Sequence, residues 1–371
     1  MSEEAFTQRV MDTLTQGFVS AGIAMGKRLG LFDGLAKLSQ TRESAVTSAQ
    51  LAEELQYRER YVREWLNALV CGDVIDHVEI EGEDRYWIAS YKVATLVGEG
   101  CPAINSELLA GVLSNARNVE KCFAVDGPLG RDVDEYPGLH DFLAKHSTPW
   151  ADARNVKDLL ADASLIKLLE SGGRVLEIGC GGGVPIKAMA SVFPNSSFVA
   201  SDISEQILDK AKLNCKDLPN VTYEVLDACN VPSDREDRFD LIMLFDVFHD
   251  VSYPSKLLAG VLQLLNEGGL FLMSDLDMFG SVQENKTKCA GAGSALYIVS
   301  CLYCVPTSLR FPGGAGLGAC CGPQAIEQLL NESGLTDVTS SSTDLGRTFR
   351  ATKSSEVVTS KKAKTESSKG T

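Results

Sequence analysis

The sequence is short of positive charge. Its 371 residues carry 50 Asp and Glu against 35 Lys and Arg, a formal net charge of -15 at pH 7. That balance disfavours any role that rests on non-specific attraction to nucleic acid or an anionic membrane. The opening Met1-Ser-Glu-Glu-Ala lacks the basic start and apolar block of a secretory signal. The eleven cysteines therefore read as reduced thiols of a cytoplasmic protein, not as a disulfide framework. For the same reason Asn220-Val-Thr and Asn285-Lys-Thr are expected to stay unglycosylated. Histidine is scarce, four in all, and none lies near Cys301-Leu-Tyr-Cys304 or Cys320-Cys321. A zinc site built on those pairs lacks its other ligands, and a redox role lacks its helix-start setting. No metal site is expected, and these cysteines read as apolar pocket lining. Internal repeats are absent. Between Lys288 and Glu327 charge is absent too, except for Arg310. Cys289 to Leu309 is long enough to span a bilayer. Its Gly291, Gly293, Pro306 and several Ser and Thr, inside what reads as one α/β domain, point instead to a buried helix beside an apolar pocket.

What is present is concentrated in Val175-Leu-Glu-Ile-Gly-Cys-Gly-Gly-Gly183, followed nineteen residues later by Asp202. An apolar run ends in a glycine turn, a helix pattern follows, and a second apolar run, Ser197-Phe-Val-Ala-Ser201, stops at an acid. This is one βαβ unit with a ligand site at the carboxyl ends of its strands. Without a Cβ, Gly179, Gly181 and Gly183 allow a tight turn and close approach of a ligand. Asp202 can accept from both hydroxyls of a ribose. Further acids recur at successive strand ends: Asp227, placed to accept from an adenine amino group, and Asp246 after Phe245. Each alone is most simply a cap or a surface acid; their recurrence at one sheet edge is not.

The length suits two domains with a large core. Residues 4–38 read as a helix interrupted by Gly17, Gly22, Gly26 and Gly30, whose small residues serve either a subunit interface or an internal contact. A capped helix from Thr47, a second helix over 58–71 and short strands over 74–79 and 85–89, joined by Glu81-Gly-Glu-Asp84, make a winged helix. Arg58, Arg60 and Arg63 are offset by Glu59 and Glu64, and the wing tip is acidic, so DNA binding is disfavoured. The expected organisation is a winged-helix dimerisation or capping domain over 1–98, a helical linker and active-site cover over 99–165, an α/β domain over 166–352 and a disordered tail over 353–371. In the α/β part, strands are expected near 174–178, 197–201, 221–226, 239–245 and 269–274, with helices between them. Alternation of this kind means a doubly wound, Rossmann-like parallel sheet. A closing hairpin is expected over 337–341 and 348–353.

The spacing Glu177-x-Gly179-x-Gly181-x-Gly183 departs from the dinucleotide pattern, which disfavours a dehydrogenase, and resembles motif I of class I S-adenosylmethionine-dependent methyltransferases. Phe239-Asp-Leu-Ile-Met-Leu-Phe-Asp-Val-Phe-His-Asp250 and Leu265-Asn-Glu-Gly-Gly-Leu-Phe-Leu-Met273 resemble that family's fourth and fifth strand regions. A subgroup with an N-terminal winged helix, similar in layout to plant-type small-molecule O-methyltransferases, shares Phe245-Asp246, His249-Asp250, Glu284-Asn285 and Gly313-Gly-Ala-Gly-Leu-Gly318. The resemblance spans about residues 15–350. It implies S-adenosyl-L-methionine as cofactor, held by Glu177, Gly179, Cys180, Gly181, Gly183, Asp202, Ile203, Asp227, Ala228, Phe245 and Asp246. It also implies His249 as the base and Asp275 as the carboxylate that orients it. Imidazole titrates in the range a base near neutral pH requires. The plainer alternative makes His249 structural, with Asp250 as a cap. His140, from the covering segment, is a further candidate. The chain departs from the subgroup at Leu302-Tyr303, where Met-His recurs, and at Cys321, where an aromatic does. The implied activity is methyl transfer to a small, largely apolar molecule, most simply at a hydroxyl, with residues 289–326 as one pocket wall, Tyr297 and Tyr303 as polar contacts, no membrane partner, and a homodimer. The alternative is an inactive cofactor-binding regulator whose winged helix contacts DNA or protein.

Overall fold

A computed structural model describes residues 1–146, 156–160, 162–343 and 345–354. The chain forms two compact units. One comprises Met1–Asn115 and Tyr136–Phe142, the other Ala116–Glu135 and Leu143–Thr371. The segment expected as a cover is thus shared between them, and the tail from residue 355 lies outside the described residues.

The first unit begins with the helix Glu3–Arg28, ends it at Leu29 and turns through Gly30, at φ +65°, into the helix Leu31–Leu38. The glycine-rich face of the first helix serves an internal contact. A side chain at Gly26 would meet Trp65 and Phe32 within 2.7 Å, one at Gly22 would meet Leu69 at 3.0 Å, and Trp65 Nε1 donates to the Gly22 carbonyl at 2.9 Å. Farther toward the N-terminus, Phe6, Val10, Leu14 and Phe18 recur every four residues and are exposed. Thr47 and Gln50 form a capping box for the helix Ser48–Glu54. The helix Glu59–Cys71 then buries Val62, Trp65, Leu66 and Leu69. Strands β1 (Asp76–Ile80) and β2 (Glu83–Trp87) pair antiparallel as a wing. Their connection is tighter than the expected four residues. Glu81 and Gly82 alone turn the chain, at φ +54° and +80°, as a two-residue hairpin demands.

The second unit is built on a seven-stranded sheet. Strands β3 (Arg174–Ile178), β4 (Ser197–Asp202), β5 (Val221–Val225), β6 (Phe239–Phe245) and β7 (Leu265–Asp275) run parallel, and the hairpin β8 (Thr336–Thr343) and β9 (Gly346–Thr352) adds an antiparallel edge. The order is β5-β4-β3-β6-β7-β9-β8. Side chains alternate between faces along each strand. Val175, Leu241, Met243 and Leu272 pack with the helices Val184–Val192 and Glu205–Asn214 in one core. Leu176, Ile242, Leu244 and Phe271 pack with Pro254–Leu264 and Pro323–Glu332 in another. Two apolar layers sandwiching one parallel sheet explain the near-continuous apolar runs of the central strands. β7 begins earlier than expected, at Leu265, because the chain bulges at Asn266–Gly269 and re-pairs with β6 from Leu270. Order reverses between β3 and β6, where ligands of open α/β sheets bind.

Candidate active site

At the carboxyl end of β3 the chain makes a sharp turn through Gly179, Gly181 and Gly183, at φ +69°, +53° and +75°. These are left-handed angles that glycine adopts without cost. Gly179 lies so close to Val247 that a Cβ would stand 2.7 Å from its Cγ2; at Gly181 a Cβ would meet nothing within 4 Å. The turn is therefore pinned at its first glycine and open at its second. Cys180 N donates to the Ser201 carbonyl at 2.9 Å, and Gly181 N donates to Asp202 Oδ2 at 3.1 Å. The second carboxylate oxygen of Asp202 accepts from Ser204 N at 3.0 Å. The acid at the tip of β4 thus holds the glycine loop and its own turn. Ile203, beside it, leaves 43% of its surface exposed at this edge.

Glu177 lies within β3 and is almost wholly buried, yet its Oε2 has no hydrogen-bond partner. Burial, only partly offset by the Ile186 N–H and reinforced by Asp202, holds its carboxyl well above the usual range. Asp227 caps its own turn, accepting from Cys229 N at 2.9 Å and from the Asn230 amide, while Ala228 is buried against the helix at Gly260. Leu226 N donates to the Asp202 carbonyl at 2.9 Å, which ties the ends of β4 and β5 together.

The fourth strand end carries the densest charge. Asp246 takes a left-handed φ of +52°, is anchored by donation from its N–H to the Ser274 carbonyl at 3.0 Å, and is open to solvent on one side. Its carboxyl is crowded on the others. Desolvation, then the Asp275 charge, push it up to about 6. A non-glycine residue in this conformation at a site edge is a local strain held by its surroundings.

His249 follows in the short helical turn Phe248–Asp250 and is buried. Its Nδ1 lies 2.5 Å from Asp275 Oδ1, its backbone N–H donates to Asp275 Oδ2 at 3.2 Å, and its Nε2 lies 3.2 Å from Asp250 Oδ1. Leu276 N completes the hold on Asp275 at 2.8 Å. Desolvation opposes the charged imidazole, but Asp250 and Asp275 outweigh it and hold His249 well above its ordinary value. Burial likewise pushes Asp250 up, while the His249 charge opposes it. The result is one imidazole between two carboxylates.

The expected partners divide. The stretch Gly313–Gly318 docks on this loop through its backbone: Gly318 N donates to the His249 carbonyl at 3.2 Å and Ala315 N to the Ser252 carbonyl at 2.9 Å. Asn285 is buried and braces Phe279, and it donates to Tyr297 Oη at 3.0 Å, so Tyr297 is engaged with the scaffold. Glu284 pairs with Lys288. His140 is buried in the first unit, not in the unit that carries His249. The segment Gly291–Leu309 is long and apolar enough to cross a membrane and only 33% of it is buried, short of the buried helix expected; Ser300 and Ser308 within it are buried and bond the backbone at Ala319 and Val251. Sequence reasoning misses one residue of the cluster. Cys304, in the π-helical turn Ser300–Cys304, brings its thiol to His249 and Asp250. The sequence signal is the Cys301-Leu-Tyr-Cys304 pair, which reads there as apolar pocket lining.

Comparisons with known proteins bear on the fold that carries this site. The family model described as a methyltransferase domain matches residues 169–334, and that of an Rv2258c-like winged HTH domain matches residues 17–97. The mitochondrial ubiquinone biosynthesis O-methyltransferase of Candida albicans is 33% identical over 112 residues, 30% of this chain and 34% of that protein. The chain spans a third to a half of the length of the first curated relatives it matches. An O-methyltransferase family protein from Burkholderia thailandensis superposes with a TM-score of 0.66 at 15% identity, covering 95% of this chain and 99% of that one. Human N-acetylserotonin methyltransferase in complex with SAM gives 0.64 at 16% identity, over 95% and 99%. At such identities the likeness is one of fold.

Proposed function

We propose that this chain, a class I methyltransferase domain behind a winged-helix domain, transfers a methyl group from S-adenosylmethionine to a small, largely apolar molecule at a hydroxyl. The residues at the carboxyl edge suit that cofactor. Gly181 leaves open room where a side chain would otherwise stand. The buried, unpartnered Oε2 of Glu177 asks for a donor, and an amino-acid ammonium is one. Asp202 and Asp227 face the same edge with acceptors, and Ile203 offers an apolar surface for a base. When bound, the cofactor supplies an electrophilic methyl on a sulfonium and leaves as a thioether.

The observation that carries the reading is the line Asp275–His249–Asp250 at the same edge as the glycine turn. Asp275 fixes the imidazole through Nδ1 and through the backbone N–H, so Nε2 is the nitrogen presented toward Asp250. As the acceptor oxygen attacks, its O–H bond breaks and the proton passes to the His249–Asp250 pair, which must first release the proton that the two carboxylates favour on the imidazole. Much of the remaining rate comes from holding acceptor and methyl donor in line. The winged-helix unit is proposed to pair two copies through the exposed stripe Phe6, Val10, Leu14 and Phe18, with no nucleic-acid partner. Reduced cysteines fit a cytoplasmic setting.

Titration calorimetry with S-adenosylmethionine, followed by S-adenosylhomocysteine release across a panel of apolar phenols and alcohols, tests the proposal. Micromolar binding with turnover of a hydroxylated acceptor is expected. Absent binding refutes the cofactor. Binding without turnover on any acceptor favours the regulator.

A further inference from the structure

Cys304 has no part in the proposed methyl transfer, yet the fold sets its thiol against the acid–base pair. We propose that His249 Nε2, Asp250 Oδ1 and Cys304 Sγ form a site for a zinc ion, with the fourth coordination position open to the acceptor. The three atoms come from two separate segments and lie within 4.8 Å of one another. Nε2 and Oδ1 stand 3.2 Å apart. Two zinc ligands at about 2.0–2.1 Å in a tetrahedron stand roughly 3.3 Å apart. Asp250 Oδ1 is buried and makes no well-formed hydrogen bond, with the Cys304 thiol beside the same carboxyl. The two facing atoms therefore have the spacing of co-ligands without being satisfied by each other.

The surroundings agree. His249 presents Nε2 because Asp275 holds Nδ1, and Asp275 is itself held by two backbone N–H groups. A carboxylate behind the imidazole of a metal-bound histidine is the usual outer support of such sites. One nitrogen, one oxygen and one sulfur suit zinc and exclude magnesium or calcium, which prefer oxygen alone. Three protein ligands with one open position is the arrangement of catalytic zinc. The π-helical turn that aims Cys304 is a feature that recurs at functional sites. On binding, the Cys304 S–H bond breaks, the pair stays on sulfur and the proton leaves to solvent, as does any proton on Nε2. Nothing is oxidised or reduced.

The role of the metal rests on the methyl-transfer reading; its binding does not. Zinc there would replace the His249–Asp250 pair as the agent of deprotonation: an acceptor hydroxyl at the fourth position would give its proton to solvent and keep the electron pair on oxygen. The acceptor class then narrows to molecules with a hydroxyl or thiol able to ligate a metal.

The test uses the full chain, loaded with zinc, dialysed and assayed for metal by elemental analysis, with cobalt as the optical probe in parallel. One zinc per chain and a sulfur-to-cobalt charge-transfer band are expected. Cys304→Ser and Asp250→Asn each lose the band or the metal, and Asp275→Asn weakens zinc binding by about 10- to 100-fold. Cys320→Ser leaves both unchanged. Circular dichroism selects the variants that fold. No retained metal in the wild type, or equal metal in wild type and the folded variants, overturns the site. Calorimetry with S-adenosylmethionine on the same samples separates the two readings. Cofactor binding without metal sinks zinc alone; metal without cofactor binding sinks methyl transfer alone.

Discussion

The substitution Glu177→Gln isolates the cost of a carboxyl buried ahead of its partner. Glu177 is 1% exposed, its Oε2 is unbonded, and burial holds it well above the ordinary value of 4.5. Between 4.5 and that raised value the folded protein holds one proton that the unfolded chain does not. Stability therefore falls as pH rises, by about 1.4 kcal/mol per pH unit, throughout that window. A side-chain amide at this position cannot titrate, so the variant lacks this slope. Urea unfolding at stepped pH from mildly acidic to neutral measures it. The two stability curves should converge toward low pH and separate upward, with the variant gaining on the wild type. The slope is the readout, not the absolute stability, because the new amide has donors of its own to place. With S-adenosylmethionine the sign reverses. An ammonium against Oε2 ionises the carboxyl, so binding to the wild type releases a proton, visible as a buffer-dependent heat. The variant loses a charge-assisted hydrogen bond of about 1.5–3 kcal/mol, or roughly 10- to 150-fold in Kd. Parallel pH slopes and equal cofactor affinities in the two proteins would refute the reasoning.

Other outcomes follow from the same geometry. His249→Ala should lower the turnover number by roughly 10²-fold or more with cofactor Kd little changed; steady-state kinetics with an identified acceptor decides, and unchanged turnover removes His249 from the chemistry. Gly181→Ala should cost about 1–2 kcal/mol of stability for its left-handed backbone and weaken cofactor binding at least about tenfold by filling the cradle. Gly179→Ala carries the same backbone cost plus the clash with Val247, so its melting temperature should be lower still. Asp162, which caps the helix Ala163–Ser171 through Ser164 N and Leu165 N, is held below its usual value first by the Ser164 hydroxyl and then by those backbone bonds. Asp162→Ala should cost about 1 kcal/mol near neutral pH. That difference should vanish as pH falls below 3.8 and through the lowered value, because the protonated cap no longer accepts.

Local patterns are legible in this sequence and long-range ones are not. The glycine turn, its acid at Asp202 and the alternation of strands are statements about neighbours in sequence, and the sheet repeats them. The partnership of His249 with Asp275 comes through resemblance alone, since the two are 26 residues apart. Other features require the folded chain. Nothing local marks Asp246 for a left-handed turn, because acids are common at strand ends. The two-residue wing reads as four because Glu83 and Asp84 are polar strand residues on an exposed ribbon. The bulge at Asn266–Gly269 reads as the end of a loop, since two glycines look the same in either setting. Cys304 escapes notice because cysteine in an apolar run reads as filler until a histidine from another segment arrives beside it.

The loop that carries His249 is gripped from the segment after it largely by main-chain atoms. Gly318 and Ala315 reach it through backbone N–H groups, and Ser308 through one hydroxyl on the Val251 carbonyl. The side chains of the same segment, Ile298 and Phe311 among them, are left exposed and take no part in that grip. Buried groups and exposed side chains of one stretch thus carry separate duties. Drift can rewrite the outward-facing residues, part of the proposed acceptor wall, while the imidazole keeps its place. On that reading a lineage changes its substrate without reinventing its chemistry, and the exposed Ile298 and Phe311 are where a library aimed at new acceptors should begin.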